Sequence, residues 1–296
     1  MSKSKVYFTK DITPESLIKI YDSIGRELQG KTCVKISTGE PGGHNFLNPE
    51  LIKDLVNKID GTIVECLTAY RGKRNTVEDH KKTFIDHGFS AIAPCELLDE
   101  DGTMKIPING GNHLHGYDIV GSKMTNYQSS LVLSHFKGHM IAGFGGALKN
   151  MSIGFASASG KAWIHSSGKT ENSILMFFGF LQQNSFLESM AEACKAIVDF
   201  FKPENLVYIN VANNLSVDCD CSSHPKDPEM KDIGIFGSID PVALDQCCYD
   251  AVINSLDKGK ESLVKRMNGR NGIHVVEEAY KLGLGSREYE LIYIDN

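Results

Sequence analysis

The stretch from Thr32 to Leu67, TCVKISTGEPGGHNFLNPELIKDLVNKIDGTIVECL, decides the fold. Thr32-Cys33-Val34-Lys35-Ile36 alternates like a β-strand and runs straight into a Gly- and Pro-rich turn. Asn48-Pro49 then supplies a capping side chain with proline at the first helical position, and Leu51, Ile52, Leu55, Val56 and Ile59 recur at helical spacing. Gly61 to Leu67, GTIVECL, is a second strand. Strand, helix, strand in this order predicts a parallel pair with the helix packed across it.

The same rhythm continues on both sides. Thr13-Pro14-Glu15-Ser16 opens an earlier helix carrying Leu17, Ile18, Ile20, Tyr21 and Ile24, predicted to run to near Gly30. Thr76 to His87 reads as a third helix that stops at Gly88. Residues 95–121 read as short strands or a hairpin, and Ser130 to Ser134 as a buried strand. Beyond lie a helix from about Asn184 to Phe201, a strand at Asn205–Val211, an irregular polar loop at 212–231 and a strand at Asp232–Phe236. A helix opened by Asp240-Pro241, a helix at 273–282 and a strand at 288–294 complete the chain. The fold class that follows is α/β, a mainly parallel sheet flanked by helices. Residues 1–296 form one domain, or two lobes meeting around 122–180. The loops after Ile36, Leu67 and Leu133 should open on one edge of the sheet, where ligands of such sheets bind.

The mild acidity, a formal charge of −6, gives no sign of a nucleic-acid partner. No apolar run reaches the roughly 18–20 residues that span a bilayer, so no membrane partner is expected. The most apolar run, Ile174 to Leu181, is too short. The opening MSKSKVYFTKD lacks a hydrophobic signal core, which predicts a cytoplasmic protein. The eight cysteines then read as thiols, with Cys247-Cys248 inside a helix as core residues. Oligomeric state is not legible.

The stretch Ser134 to Ser166, SHFKGHMIAGFGGALKNMSIGFASASGKAWIHS, concentrates three histidines and three lysines among glycines. His135 and His139 stand four apart, on a helix face or in a glycine loop, where two imidazoles can share one metal ion. The bland alternative leaves one exposed and one capping a loop. Gly143-Phe144-Gly145-Gly146-Ala147-Leu148-Lys149 has the composition of a phosphate-cradling loop without the Walker spacing, and a tight strand-to-helix turn explains it equally well. Asp218-Cys219-Asp220-Cys221-Ser222-Ser223-His224 offers soft metal donors, or is a polar loop with incidental cysteines. Arg71, Lys73 and Arg74, after the second strand, suit a phosphate or carboxylate, or form a solvated basic loop.

Taken together, STGEPGG, TAYRGKRNT, SHFKGHMIAGFGGALKN, IHSSGKT, DCDC and GSIDPVALD resemble a domain-of-unknown-function family of uncharacterised "iron–sulfur centre" proteins. Many members of that family carry a ferredoxin-like insertion soon after the segment matching His165-Ser166-Ser167. Residues 168–183 here contain no cysteine, so a ferredoxin-type iron–sulfur cluster is not expected. The segment from His139 to His165 is similar, more distantly, to the cofactor segment of nickel-dependent lactate racemases. That resemblance implies a nickel-pincer nucleotide linked to Lys149, nickel ligation by His165 and acid/base work by His139. The racemase pattern has a second catalytic His followed by Arg. Lys73-Arg74 is the nearest counterpart here, without the His.

These readings lead to an expected metal- or cofactor-binding protein, an isomerase or oxidoreductase acting on a small organic acid or polar metabolite. His139 and Lys149 would be catalytic. Gly143, Gly145, Gly146, Lys149, Lys73 and Arg74 would bind an anionic substrate or cofactor. His165, His135, Cys219 and Cys221 would hold a divalent transition metal. The competing expectation is a non-catalytic metal-binding or electron-transfer accessory protein using Cys219 and Cys221.

Overall fold

The computed structural model describes residues 3–177 and 182–295; residues 178–181 of the apolar run Ile174 to Leu181 lie outside them. The elements in chain order are β1 (Ser4–Thr9), α1 (Pro14–Ile24), β2 (Thr32–Lys35), α2 (Pro49–Lys58), β3 (Gly61–Glu65), α3 (Val77–Asp86), β4 (Cys95–Leu97), β5 (Thr103–Pro107), β6 (Tyr117–Gly121) and β7 (Ser129–His135). They continue with β8 (Lys137–His139), β9 (Gly143–Gly145), α4 (Ala147–Phe155), α5 (Ala158–His165), α6 (Gln183–Phe201) and β10 (Leu206–Ala212). The last are β11 (Gly234–Ser238), α7 (Pro241–Ile253), α8 (Glu261–Gly269), α9 (His274–Lys281) and β12 (Tyr289–Tyr293).

Eight strands form one sheet in the order β12-β1-β11-β10-β7-β2-β3-β4. The run β10, β7, β2, β3, β4 is parallel throughout, as the strand–helix rhythm predicts. Antiparallel pairing enters only through β11, against β10 and β1. Period-2 alternation sends alternate residues into two cores. Leu131 and Leu133 join Val207, Ile209 and Val211 against Leu17, Ile20, Leu51 and Leu55 of α1 and α2. On the opposite face Val132 and Tyr208 meet Leu148 and Met151 of α4, Met190 and Ile197 of α6, and Val242 of α7. Both faces are covered, which is why the central strands read as near-continuous apolar runs.

Local chemistry sets the ends. Thr13 Oγ1 accepts from the Ser16 amide at the start of α1, and Gly25, at φ 68°, ends that helix. The helix is therefore shorter than the expected run to Gly30. Residues 95–121 supply the edge strand β4 and the hairpin β5–β6. The His-rich segment is neither a helix face nor a plain loop: Lys137–His139 and Gly143–Gly145 pair as a hairpin. No helix among the described residues is long and apolar enough to cross a membrane. All eight cysteines are free thiols, with Cys247 and Cys248 buried in α7.

Candidate functional site

Four adjacent parallel strands end at one edge, and the loops behind them enclose a cavity of about 350 Å³. After β2 the chain moves outward to β3, while β7 lies on the other side of β2, so successive crossovers part there and leave a crevice. Asn150 of α4 bridges it, its Nδ2 donating to Lys35 O at 2.9 Å, Leu133 O at 3.1 Å and Ser134 Oγ at 3.1 Å. Lys35 from β2, Glu65 from β3, Lys149 from α4, Lys161 and His165 from α5, His139 from β8, and Cys219 and Cys221 from the loop after β10 all border the cavity.

Lys149 sits in the first turns of α4, whose start is fixed by a carboxylate from α7. Asp245 accepts from Ala147 N (2.8 Å), Leu148 N (2.9 Å) and Asn210 Nδ2 (2.8 Å) at a fully buried position. The helix-start amides that would meet a phosphate held by the glycine run are thus already bound to Asp245. Gly143 (φ 83°) packs under Gly272 and does not border the cavity; Gly145 and Gly146 do. No hydrogen bond or ion pair engages the Lys149 ammonium among the described residues.

His139 and His165 are held in opposite tautomers. His139 Nδ1 accepts from the amides of Ile141 (3.2 Å) and Ala142 (2.9 Å), so its proton sits on Nε2. Proton exchange at His139 must therefore pass through Nε2. His165 Nδ1 donates to Lys161 O at 2.6 Å, which leaves the Nε2 lone pair free, the arrangement usual in metal-ligating histidines. Its ring stacks on Phe186 at 4.7 Å. Burial, with the Lys149 charge nearby, lowers both imidazoles to about 4, so both are neutral at pH 7.

His139, Cys219 and Cys221 bring one nitrogen and two sulfurs within 4.8 Å of one another. Hydrogen bonding from the Cys221 thiol, joined by the Lys149 charge and a hydrogen bond with His139, holds Cys219 well below the usual thiol range against the opposing effect of burial. The same hydrogen bond and burial push Cys221 well above it. Asp220, between the thiols, is the loop's anchor: its carboxylate meets His135 Nδ1 at 2.8 Å and Lys137 Nζ at 2.7 Å. His135 Nε2 meets Asn213 O at 2.6 Å. Both His135 nitrogens face oxygen acceptors, an arrangement that holds the thiol loop and leaves neither nitrogen turned to a metal.

The basic loop after β3 is divided. Lys73 is exposed and away from the cavity, and only its amide is used, donating to Glu40 Oε1 at 2.5 Å. Arg74 reaches the cavity but is spent on the protein's own carboxylates, Glu40 at 3.0 Å and Glu65 at 2.9 Å. Burial opposes the Glu65 charge, yet Arg74 and Lys35 outweigh it and hold that carboxyl well below the carboxylate range.

Lys35, Glu65, Lys161 and Asp245 do not stand out in the sequence as site residues. Their one signal is a charge inside an otherwise buried element: Lys35 in TCVKI, Glu65 in GTIVECL and Asp245 in PVALDQCC. Lys161 spans the crevice floor, donating to Leu67 O and Ala156 O at 2.7 Å each.

No protein of curated function matches the chain. Among solved structures it is similar to the lactate racemase apoprotein of Thermoanaerobacterium thermosaccharolyticum, at 14% identity and a TM-score of 0.45, over 84% of this chain and 57% of that one. A crystallised protein of Thermotoga maritima is similar at 12% identity and a TM-score of 0.45, over 90% of this chain and 58% of that one. This chain thus spans less than two thirds of the length of either. Residues 32–250 match the family described as "Domain of unknown function (DUF362)", and the chain belongs to that family.

Proposed function

We propose that this chain is an enzyme for a small organic anion, with a soft divalent transition metal bound at the thiols of Cys219 and Cys221 and the anion held by Lys149. The observation that carries this reading is the meeting, in one cavity, of a paired-thiol loop and an ammonium with no protein partner among the described residues. Thiolates and imidazoles select metals such as zinc or nickel over magnesium or calcium. An uncommitted ammonium favours a carboxylate or phosphate. His165 offers its Nε2 lone pair as a further ligand, and His139 offers an N–H for hydrogen bonding and proton exchange at Nε2.

The racemase-like segment raises a nickel-pincer nucleotide, and the donor set fits its attachment. Among the described residues nothing engages the Lys149 amine or the His165 Nε2 lone pair, and both border the same cavity. When bound, that group would supply an electrophilic nickel centre. The thiols of Cys219 and Cys221 are extra soft donors, and they support a metal held by the protein itself. The three-donor cluster taken alone favours the second reading, a metal-binding or electron-transfer accessory protein.

The test uses the full chain purified without oxygen. Elemental analysis for nickel, zinc and iron is followed by calorimetric titration with lactate, pyruvate and inorganic phosphate. The expected result is a metal lost in Cys219→Ser and Cys221→Ser, and an anion lost in Lys149→Ala while the metal stays. Metal binding without anion binding would favour the accessory reading, and a parent protein that takes up no soft metal would refute both.

A further inference from the structure

Lys35 is the least expected charge in the molecule. It lies at the carboxyl end of β2, is 1% exposed, and borders the cavity. An ammonium has three hydrogens to place. Here one goes to Ile36 O at 2.6 Å, and the nearest carboxylate oxygen, Glu65 Oε2, stands off at 3.7 Å. Glu65 is already occupied through its other oxygen, which accepts from Thr38 N, Thr38 Oγ1 and Arg74 Nη1. The amine is thus buried, incompletely paired among the described residues and turned to a cavity.

The neighbouring helix leaves space for it. A Cβ on Gly154 of α4 would stand 2.5 Å from Lys35 Cε and 3.0 Å from Nζ. Glycine is a poor residue inside a helix, and this one keeps the lysine's path to the cavity open. The groups that face the amine are Glu65 and Cys66 from β3, Arg74 from the loop after it and Lys161 from α5. Burial, with the Arg74 and Lys161 charges, outweighs Glu65 and lowers the amine to about 8. Lysines in such surroundings serve as nucleophiles and bases.

From this placement we infer that Lys35 is an imine-forming amine whose Nζ adds to the carbonyl carbon of a small oxo acid in the cavity. The amine lone pair forms the C–N bond while the C=O π pair moves to oxygen. Nitrogen then gives up its two protons as the carbinolamine oxygen leaves as water, so no oxidant or reductant is needed. Lys149 and Lys161 border the same cavity as partners for the carboxylate. The inference shares the organic-anion part of the proposed function and needs no metal, so it stands or falls separately from the thiol site.

The experiment is reductive trapping. Full-length protein, as purified and after chelator treatment, is incubated with pyruvate or glyoxylate and sodium cyanoborohydride, then mapped by peptide mass spectrometry. The expected result is an adduct at Lys35 in both preparations. Its rate should rise about tenfold from pH 7 to pH 9 and then level off, whereas an ordinary lysine would gain about a hundredfold over that interval. Lys35→Arg should lose the adduct, and Gly154→Ala, which keeps the lysine but fills its path, should lower it. Peptide mapping of the parent protein decides the matter even if a variant fails to fold. Labelling confined to Lys149 or Lys161, labelling spread over exposed lysines, or no adduct between pH 7 and pH 9 would overturn the assignment.

Discussion

Replacing Asp220 by Asn tests whether the thiol loop is a built site. The carboxylate is 3% exposed and sits between His135 at 2.8 Å and Lys137 at 2.7 Å, both buried. Asparagine keeps the shape and removes the charge, which strands the Lys137 ammonium in a dry site. Breaking one side of a buried ion pair costs about 3–5 kcal/mol. The amide can still accept one hydrogen bond, so the lower end, about 3 kcal/mol, is the expected loss. Cys219 and Cys221 flank this residue, and partners that orient metal ligands are worth about 10–100-fold in metal affinity. Urea unfolding of the metal-free chain reads the first quantity, and competition for zinc against a chromophoric chelator reads the second. An Asp220→Asn protein that unfolds at the parent's urea midpoint and binds zinc within twofold of it would show that the loop is held by something else.

Asp118 is fully buried, and only one oxygen has a partner, the Ile119 amide at 2.8 Å. Burial raises its carboxyl to about 7, above the unfolded value, so its contribution is fully present below about pH 4 and lost as pH rises through 7. A difference of about 3 in pKa sets a ceiling of about 4 kcal/mol, and Asp118→Asn should be near neutral at pH 4 and stabilising at pH 8.5 in urea titrations; an unchanged pH dependence would refute this. Asp245→Ala leaves three buried donors without an acceptor, at about 1–3 kcal/mol each, and should cost about 3–5 kcal/mol overall and weaken phosphate or lactate binding through Lys149. Gly146→Ala drives a Cβ to 2.4 Å from Asp245 Oδ1 and should show both losses in the same unfolding and titration assays. His165→Ala should lower bound metal and leave the unfolding free energy from urea titration within about 2 kcal/mol of the parent's, since it removes one hydrogen bond and one ring stack.

The order of strands and helices is legible in the sequence because both periods are strong and the caps are explicit: Thr13-Pro14, Asn48-Pro49 and Asp240-Pro241 all start helices. The hidden elements lack such signals. β1 is six residues with mixed burial, and α8 carries a lysine at its N-cap position with no side-chain cap. The 137–145 hairpin is glycine-rich and has no period to read. A Cβ on Gly138 would stand 2.3 Å from Val217 O, so its form depends on a loop far along the chain. His135 misleads for the same reason, because its acceptors, Asp220 and Asn213, lie 85 and 78 residues away. Spacing along the chain marks His139, Lys149 and His165 as a group. It carries nothing about tautomers, which are set by the backbone groups each ring meets.

The glycines of the 143–154 segment play a role inverted from the one their composition suggests. A phosphate loop uses glycine so that backbone amides can approach a ligand. Here glycine lets charged side chains approach the backbone of α4. A Cβ at Gly145 would press on Lys149 Cδ at 3.3 Å, one at Gly146 would strike Asp245, and one at Gly154 would strike Lys35. Asp245 fixes the helix start, and that start fixes Lys149. Lys35 arrives from the sheet at the other end of the same helix. The glycines therefore space the cavity's charges around a short helix over the crevice, and an anion bound as proposed would meet side-chain ammonium groups, not a rigid nest of amides. Such a site suits a small carboxylate better than a polyphosphate, which would need the amides that Asp245 already holds.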